Sequence, residues 1–352
     1  MLKKYKIYKI IISNGGHILT HNNIWIKYIK KFAPILGIAL FIYIIYSIGT
    51  DKIAVTFLKI SPIFLIIAFL LYIPRVLIKN YQWQFILKAQ KINISYFESL
   101  KILLIGAFYS QITPAGLGHL IKIPYLKDKT NEPTGKLVVN SSILSAVNTI
   151  PFYIPVLIVM FLFIDIPMDI KLFSLFVFLV VISPYMFFIK KERGQKTLNF
   201  IINKFIPKRV KLSANNFAKT IYKDFPRMRD LIIPTLLSFP TWIITSAVMY
   251  MIALSIGFNV PFIAYLFLTP IASLVGCLPI SIGGLGTKEA ALIYFFSSFS
   301  VSPEKIVVIS IISHLIYKIP NLISGFAICL WEAKNIRINS SLKKKKPSYV
   351  LD

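Results

Sequence analysis

Apolar residues gather in nine blocks along the chain: 33–49, 62–79, 97–112, 137–164, 172–189, 231–256, 262–279, 285–299 and 306–331. Six are long enough to predict membrane-spanning helices. The blocks 97–112, 262–279 and 285–299 are shorter, in the range where a full span and a re-entrant segment look alike.

The basic residues between the blocks order them. The stretches 1–32, 79–101, 122–136, 190–230 and 332–352 hold 33 of the 40 Lys and Arg, and the stretches 50–61, 165–171, 257–261 and 300–305 hold 4. Positive charge collects on the cytoplasmic side. A full crossing by 97–112 would place the 12 basic residues of 190–230 on the wrong side, so this block is expected to dip in and return. Both termini are then cytoplasmic.

An internal repeat agrees. Ile112-Thr-Pro-Ala-Gly-Leu-Gly118 and Ile280-Ser-Ile-Gly-Gly-Leu-Gly286 match at an offset of 168. The same offset carries 62–79 onto 230–247 and 137–164 onto 305–332, and Leu70-Leu-Tyr-Ile-Pro74 resembles Leu236-Leu-Ser-Phe-Pro240. The expected fold class is all-α: a polytopic membrane helix bundle built as an inverted repeat, with Gly-rich re-entrant hairpins at 97–122 and 262–300. Six full spans plus two hairpins, or eight spans, both fit. The expected segments are a basic cytoplasmic N-terminal stretch (1–32), a first membrane half (33–189), a basic amphipathic cytoplasmic insert (190–230), a second membrane half (231–331) and a basic cytoplasmic tail (332–352).

Composition narrows the class further. Of 352 residues 56% are hydrophobic and only 15% charged, with a mean hydropathy of +0.72, whereas soluble domains average about 25% charged. This excludes a soluble enzyme, a disordered chain and an ordinary nucleic-acid-binding domain. The net charge of +27 is accounted for by residues flanking apolar blocks rather than by a nucleic-acid partner. Cys277 and Cys329 lie inside apolar stretches and read as small core residues. The basic N-terminus is followed by no small-residue cleavage site, so no cleaved signal is expected.

Within the insert, Leu198, Ile201, Ile202 and Phe205 share a helical face, as do Phe217, Ile221 and Phe225, with lysines around them. Such a stretch fits the interface with anionic headgroups; a solvated basic loop fits equally.

No enzyme constellation stands out: there is no Walker loop, no GxSxG and no carboxylate pair deep in an apolar block. His17 and His21 lack the intervening Glu of a zinc helix, and neither metal nor cofactor is expected. Without an ATP site, any transport would be downhill or ion-coupled. What stands out is polar chemistry at membrane depth, where a charge is costly unless paired or wet. Arg75, His119, Lys288, Glu289, His314 and Lys318 lie in or beside apolar blocks. Lys288 and Glu289 either neutralise each other or hold Lys288 toward an anionic headgroup, with Arg75 and Lys318 assisting. Gly116, Gly118, Gly283, Gly284 and Gly286 permit either backbone N–H contacts to phosphate or close helix packing.

The stretch Leu278-Pro-Ile-Ser-Ile-Gly-Gly-Leu-Gly-Thr-Lys-Glu-Ala-Ala-Leu292 resembles the signature of the flippase-like membrane family that includes the transmembrane domain of lysylphosphatidylglycerol synthases, with Lys288 in the place of an Arg. Arg75 to Trp83, Thr113 to Lys122 and His314 to Gly325 resemble three further stretches of that family. His119 and Gly116 stand where the family has Glu and Arg, and Ser141 and Asn148 lie where it has an Arg-Asp pair. The resemblance implies a protein that translocates or handles anionic or polyprenyl-linked lipids in the cell membrane. It implies a lipid site drawn from Arg75, Thr113, Gly116, Gly118, His119, Lys122, Gly283, Gly284, Gly286, Lys288, Glu289, His314 and Lys318. Membrane lipids are the expected partners. A non-catalytic scaffold for a lipid-modifying enzyme or glycosyltransferase is the alternative.

Overall fold

The computed structural model describes residues 39–112, 120–163, 167–189, 191–206, 208–276 and 285–344. These form helices α1 (Ala39–Ile48), α2 (Thr50–Leu58), α3 (Pro62–Ala89), α4 (Tyr96–Ile112), α5 (Lys122–Thr130), α6 (Thr134–Phe163), α7 (Met168–Ile189), α8 (Lys191–Phe205), α9 (Lys208–Ile221), α10 (Ile232–Ser255), α11 (Phe262–Gly276), α12 (Thr287–Ser297) and α13 (Pro303–Lys344). No strand occurs among the described residues.

The repeat read from the sequence is visible in the order of elements. Helices α3 to α6 begin at 62, 96, 122 and 134, and α10 to α13 begin at 232, 262, 287 and 303. Neighbour relations recur with them. Helix α4 packs on α13 as α11 does on α6, α5 on α6 as α12 on α13, and α9 on α6 as α2 on α13.

The most extensive contact joins α3 to α10, and its hydrogen bonds fix the direction. Ser61 N–H donates to the Ser255 carbonyl at 2.6 Å, Arg75 Nε to Thr245 Oγ1 at 2.9 Å, and Gln82 Nε2 to the Pro234 carbonyl at 2.7 Å. As one number rises the other falls, so the helices are antiparallel.

Helices α4 and α5 also run antiparallel. Glu98 pairs with Lys129 at 3.1 Å near the outer ends, while a Cβ on Gly106 would lie 3.3 Å from Lys122 Cβ. Helix α13 then lies antiparallel along α4, with Lys101 Nζ 4.5 Å from the Trp331 ring centre and Phe108 against Phe326. Glycine makes this approach possible: a Cβ on Gly325 would collide with Phe108 and lie 2.7 Å from the Leu104 carbonyl.

The surface identifies the solvent. Ile63, Ile66, Ile67 and Leu70 on α3, Ile154, Ile158 and Leu162 on α6, and Leu315, Ile319, Ile323, Phe326 and Leu330 on α13 are exposed. Apolar stripes of that length belong against lipid. Among the described residues four stretches, Pro62–Ala89, Thr134–Leu162, Met228–Ser255 and Pro303–Glu332, are long and apolar enough to cross a membrane. A fifth arises if α1 and α2, bent by 79°, form one span. Of the six spans expected, the described part of 33–49 falls in this bent pair, and 172–189 falls in α7, where the apolar run Lys171–Val180 is shorter than a span.

The insert is more tightly docked than a solvated loop. Helix α9 packs on α6 where Gly135 leaves room: a Cβ there would collide with Thr220 Oγ1 and lie 2.6 Å from the Phe217 carbonyl. Beside it, Lys136, 1% exposed, bridges Glu132 and Asp224 at 2.9 Å each. Phe200 and Leu212 on α8 and α9 remain exposed.

Candidate functional site

Helix α3 outlasts its apolar block by ten residues because its polar side chains find buried partners. Gln82 bonds Pro234, Asn80 the Tyr96 carbonyl, Gln84 the Ser99 hydroxyl, and Trp83 Nε1 donates to Asn140 Oδ1 at 2.7 Å. Asn140 in turn donates to Gln90. The extension completes a stripe at helical spacing, Arg75, Lys79 and Trp83.

Each member of that stripe meets another element. The Arg75 guanidinium is held by Thr245 of α10 and lies over the Tyr317 ring of α13, 4.9 Å from its centre. Tyr317 OH donates to the Thr245 carbonyl at 3.2 Å, closing a triangle between three helices. Lys122 opens α5, is 4% exposed, and sets Nζ 4.8 Å from the centre of the Trp83 ring. Lys79 lies between, within electrostatic reach of both Arg75 and Lys122. Among the described residues no carboxylate lies within 4.0 Å of any of these three cations.

A second polar cluster sits one turn away along α13. Glu289, fully buried on α12, accepts from the Gly286 N–H at 2.6 Å and the Ser310 hydroxyl at 2.6 Å, with His314 Nε2 at 3.4 Å. Gly286 has φ +85°, a conformation natural to glycine, and it lets the Glu289 carboxylate fold back to cap its own helix. Lys318 lies within electrostatic reach of Glu289, and Lys288 is half-buried beside it. Tyr72 OH donates to Asn321 Oδ1 at 2.5 Å one turn further along α13.

The structure thus gathers Arg75, Lys122, Gly286, Glu289, His314 and Lys318 along one polar seam, with Lys288 at its edge. The partners of Glu289 include its own helix cap, Ser310 and His314. Thr113, Gly116, Gly118, His119, Gly283 and Gly284 lie outside the described residues. Lys79, Thr245, Ser310 and Tyr317 were not singled out in the sequence. Lys79 was signalled by its i, i+4 spacing from Arg75, but it stands at the end of its apolar block and reads there as a boundary charge. Among the described residues no group of three His, Cys, Asp or Glu could hold a metal.

These features, a helical bundle with apolar stripes outside and a polar seam within, define a polytopic membrane protein. The chain belongs to the lysylphosphatidylglycerol synthase TM region family, whose description matches residues 32–325. It is similar to UPF0104 membrane proteins of three archaea. That of Pyrococcus horikoshii is 23% identical, over 85% of this chain and 96% of its own. That of Methanocaldococcus jannaschii is 24% identical over 91% and 98%, and that of Methanothermobacter thermautotrophicus 20% over 80% and 89%.

Proposed function

We propose that this protein is a flippase-like carrier that moves lipid headgroups past the polar seam of an inverted-repeat bundle in the cell membrane. The observation that carries this reading is the stripe Arg75–Lys79–Lys122. Charges at membrane depth cost several kcal/mol unless something compensates them. These three have no carboxylate at hand among the described residues, and the phosphate of a lipid headgroup supplies the missing charge.

The arrangement of helices supports a route. Antiparallel α4 and α5 make a returning pair joined through the first Gly-rich motif, and α11 packs on α12 across the second. In the proposed topology both pairs are re-entrant hairpins, one from each face, and the termini and the 190–230 insert are cytoplasmic. A headgroup leaving one hairpin then meets the seam before reaching the other.

Purified protein in liposomes with a fluorescent anionic phospholipid tests this. Quencher added outside should bleach well over half of the label if lipids cross, and Arg75→Gln should reduce the rate. Bleaching that stops at the outer leaflet overturns the reading. Movement that begins only after a lipid-modifying enzyme or glycosyltransferase is added would favour the scaffold role instead.

A further inference from the structure

Resting on that reading, we infer that the seam selects a polyanionic headgroup of the lipid diphosphate class and rejects lipids whose headgroups bear an ammonium group. The argument is one of charge inventory. The chain contains 13 Asp and Glu, and of these only Glu98 and Glu289 lie inside apolar blocks of the sequence; Glu98 stands at the end of its block, paired with Lys101 and Lys129. The Gly-rich stretches 113–119 and 277–284 contain none.

Glu289 is already committed. Its Oε2 accepts from Gly286, and its Oε1 from Ser310 with His314 alongside. The Glu289 carboxylate is fully buried behind these contacts, and an ammonium entering the stripe would face Arg75, Lys79 and Lys122. In a low-dielectric setting that encounter is repulsive. An aminoacylated phospholipid is therefore a poor cargo.

A diphosphate fits the same groups. A phosphate monoester carries about −1.5 to −2 charges at pH 7, and a second phosphoryl group adds another ionised oxygen, so the headgroup approaches the three positive charges of the stripe. Arg75 uses Nε on Thr245 and one ring face on Tyr317, which leaves its Nη groups without a protein acceptor among the described residues. Guanidinium edges of this kind bind phosphoryl oxygens in pairs. Lys79 and Lys122 add two point charges further along. Both Lys122 and the Trp83 ring beneath it are buried, and Gly106 lets α5 approach closely enough to place the lysine there.

Calorimetric titration of the full chain in detergent, at constant ionic strength, separates the possibilities. The probes are geranylgeranyl diphosphate, geranylgeranyl monophosphate, lysylphosphatidylglycerol and inorganic pyrophosphate. The diphosphate lipid should bind about tenfold more tightly than the monophosphate, and Lys79→Gln or Lys122→Gln should each weaken it about tenfold, as expected for one charge-assisted contact. Lys122→Arg should restore part of the loss. Pyrophosphate should compete but bind more weakly than the lipid; equal affinity would reassign the site to a free anion and overturn the lipid assignment. Binding of lysylphosphatidylglycerol at or above the diphosphate, or unchanged affinity in both Gln variants, overturns the inference. Lysylphosphatidylglycerol that binds and crosses liposomes would sink the selectivity and leave translocation standing. Tight diphosphate binding with no lipid movement would do the reverse.

Discussion

Arg75 Nε lies 2.9 Å from Thr245 Oγ1, and this hydrogen bond ties α3 to α10 across the most extensive helix contact of the fold. Arg75 follows Pro74, and Pro240 lies inside the partner helix α10. A proline within a helix leaves a carbonyl without its intrahelical donor. Polar groups thus concentrate at the crossing of two otherwise apolar helices.

Thr245→Val keeps the volume of the side chain and removes the acceptor. The Arg75 guanidinium then loses one of the two contacts that fix it, and a half-buried charged donor gives up its hydrogen bond at a cost of about 1 to 3 kcal/mol. Lipid movement in liposomes should slow about tenfold if this full penalty falls on the transport step, and Thr245→Ser should retain most of the activity. Equal rates in both variants would show that Thr245 does not position Arg75.

Gly325→Ala and Gly135→Ala test close packing at two separate sites. At each, the added methyl meets backbone as well as side chain: the Leu104 carbonyl beside Phe108 in one case, the Phe217 carbonyl beside Thr220 in the other. Backbone cannot swing aside, so α13 must move from α4, or α9 from α6, at about 1 to 3 kcal/mol. Thermal unfolding in detergent should fall in both variants, and a melting temperature equal to the parent in either would contradict the packing described.

Much of this architecture is legible in the sequence because its code is simple. Lipid demands apolar blocks, and α3 begins at Pro62 and α11 at Phe262, where the blocks begin. The Gly-rich repeats mark the offset that the helices follow. The buried polar residues were hidden. Asn80, Gln82 and Gln84 resemble a solvated helix end, and only the distant partners Tyr96, Pro234 and Ser99 make their burial affordable. Lys136 shares that problem, since a lysine's burial depends on what the rest of the chain places beside it. The docking of α9 turns on Gly135, a single small residue that no periodicity singles out.

The ion cluster at that docking site should make stability depend on acid. The hydrogen bond from Lys136, aided by the charges of Lys136, Lys91 and Lys223, holds the Asp224 carboxyl below its usual range despite some burial. A carboxyl depressed in the folded state contributes fully above its unfolded value of about 4. That contribution is lost as the pH falls through the depressed value. Asp224→Asn should flatten the decline in melting temperature between about pH 5 and 3. Lys136→Met should be the more damaging change at neutral pH, because Glu132 and Asp224 lose their shared cation. An unaltered pH profile in Asp224→Asn would exclude the cluster as its source.

The proposed topology places α7 between opposite faces of the membrane. In a background without Cys277 and Cys329, single cysteines replacing Asp169 and Lys196, both exposed, should react with an impermeant maleimide from opposite sides of intact cells. Asp169 should label from outside, and Lys196 only after permeabilisation. Labelling of both from outside would invert or break the arrangement.

Removing a charge from the seam should have opposite consequences on its two sides. Glu289 is fully buried and takes three partners, so Glu289→Gln leaves donors mismatched around it and should lower the melting temperature. Lys122 has no compensating carboxylate among the described residues and repels Lys79, so burying it opposes folding of the ligand-free protein. Lys122→Met keeps a flexible chain over Trp83 and removes the repulsion, and it should raise the melting temperature while weakening lipid binding. That exchange of stability for function is characteristic of residues kept for their ligand. Addition of a diphosphate lipid should stabilise the parent protein by linkage and have little effect on Lys122→Met. A lower melting temperature in Lys122→Met without ligand would mean that the lysine is satisfied within the fold, and the seam would then be structural rather than a binding site.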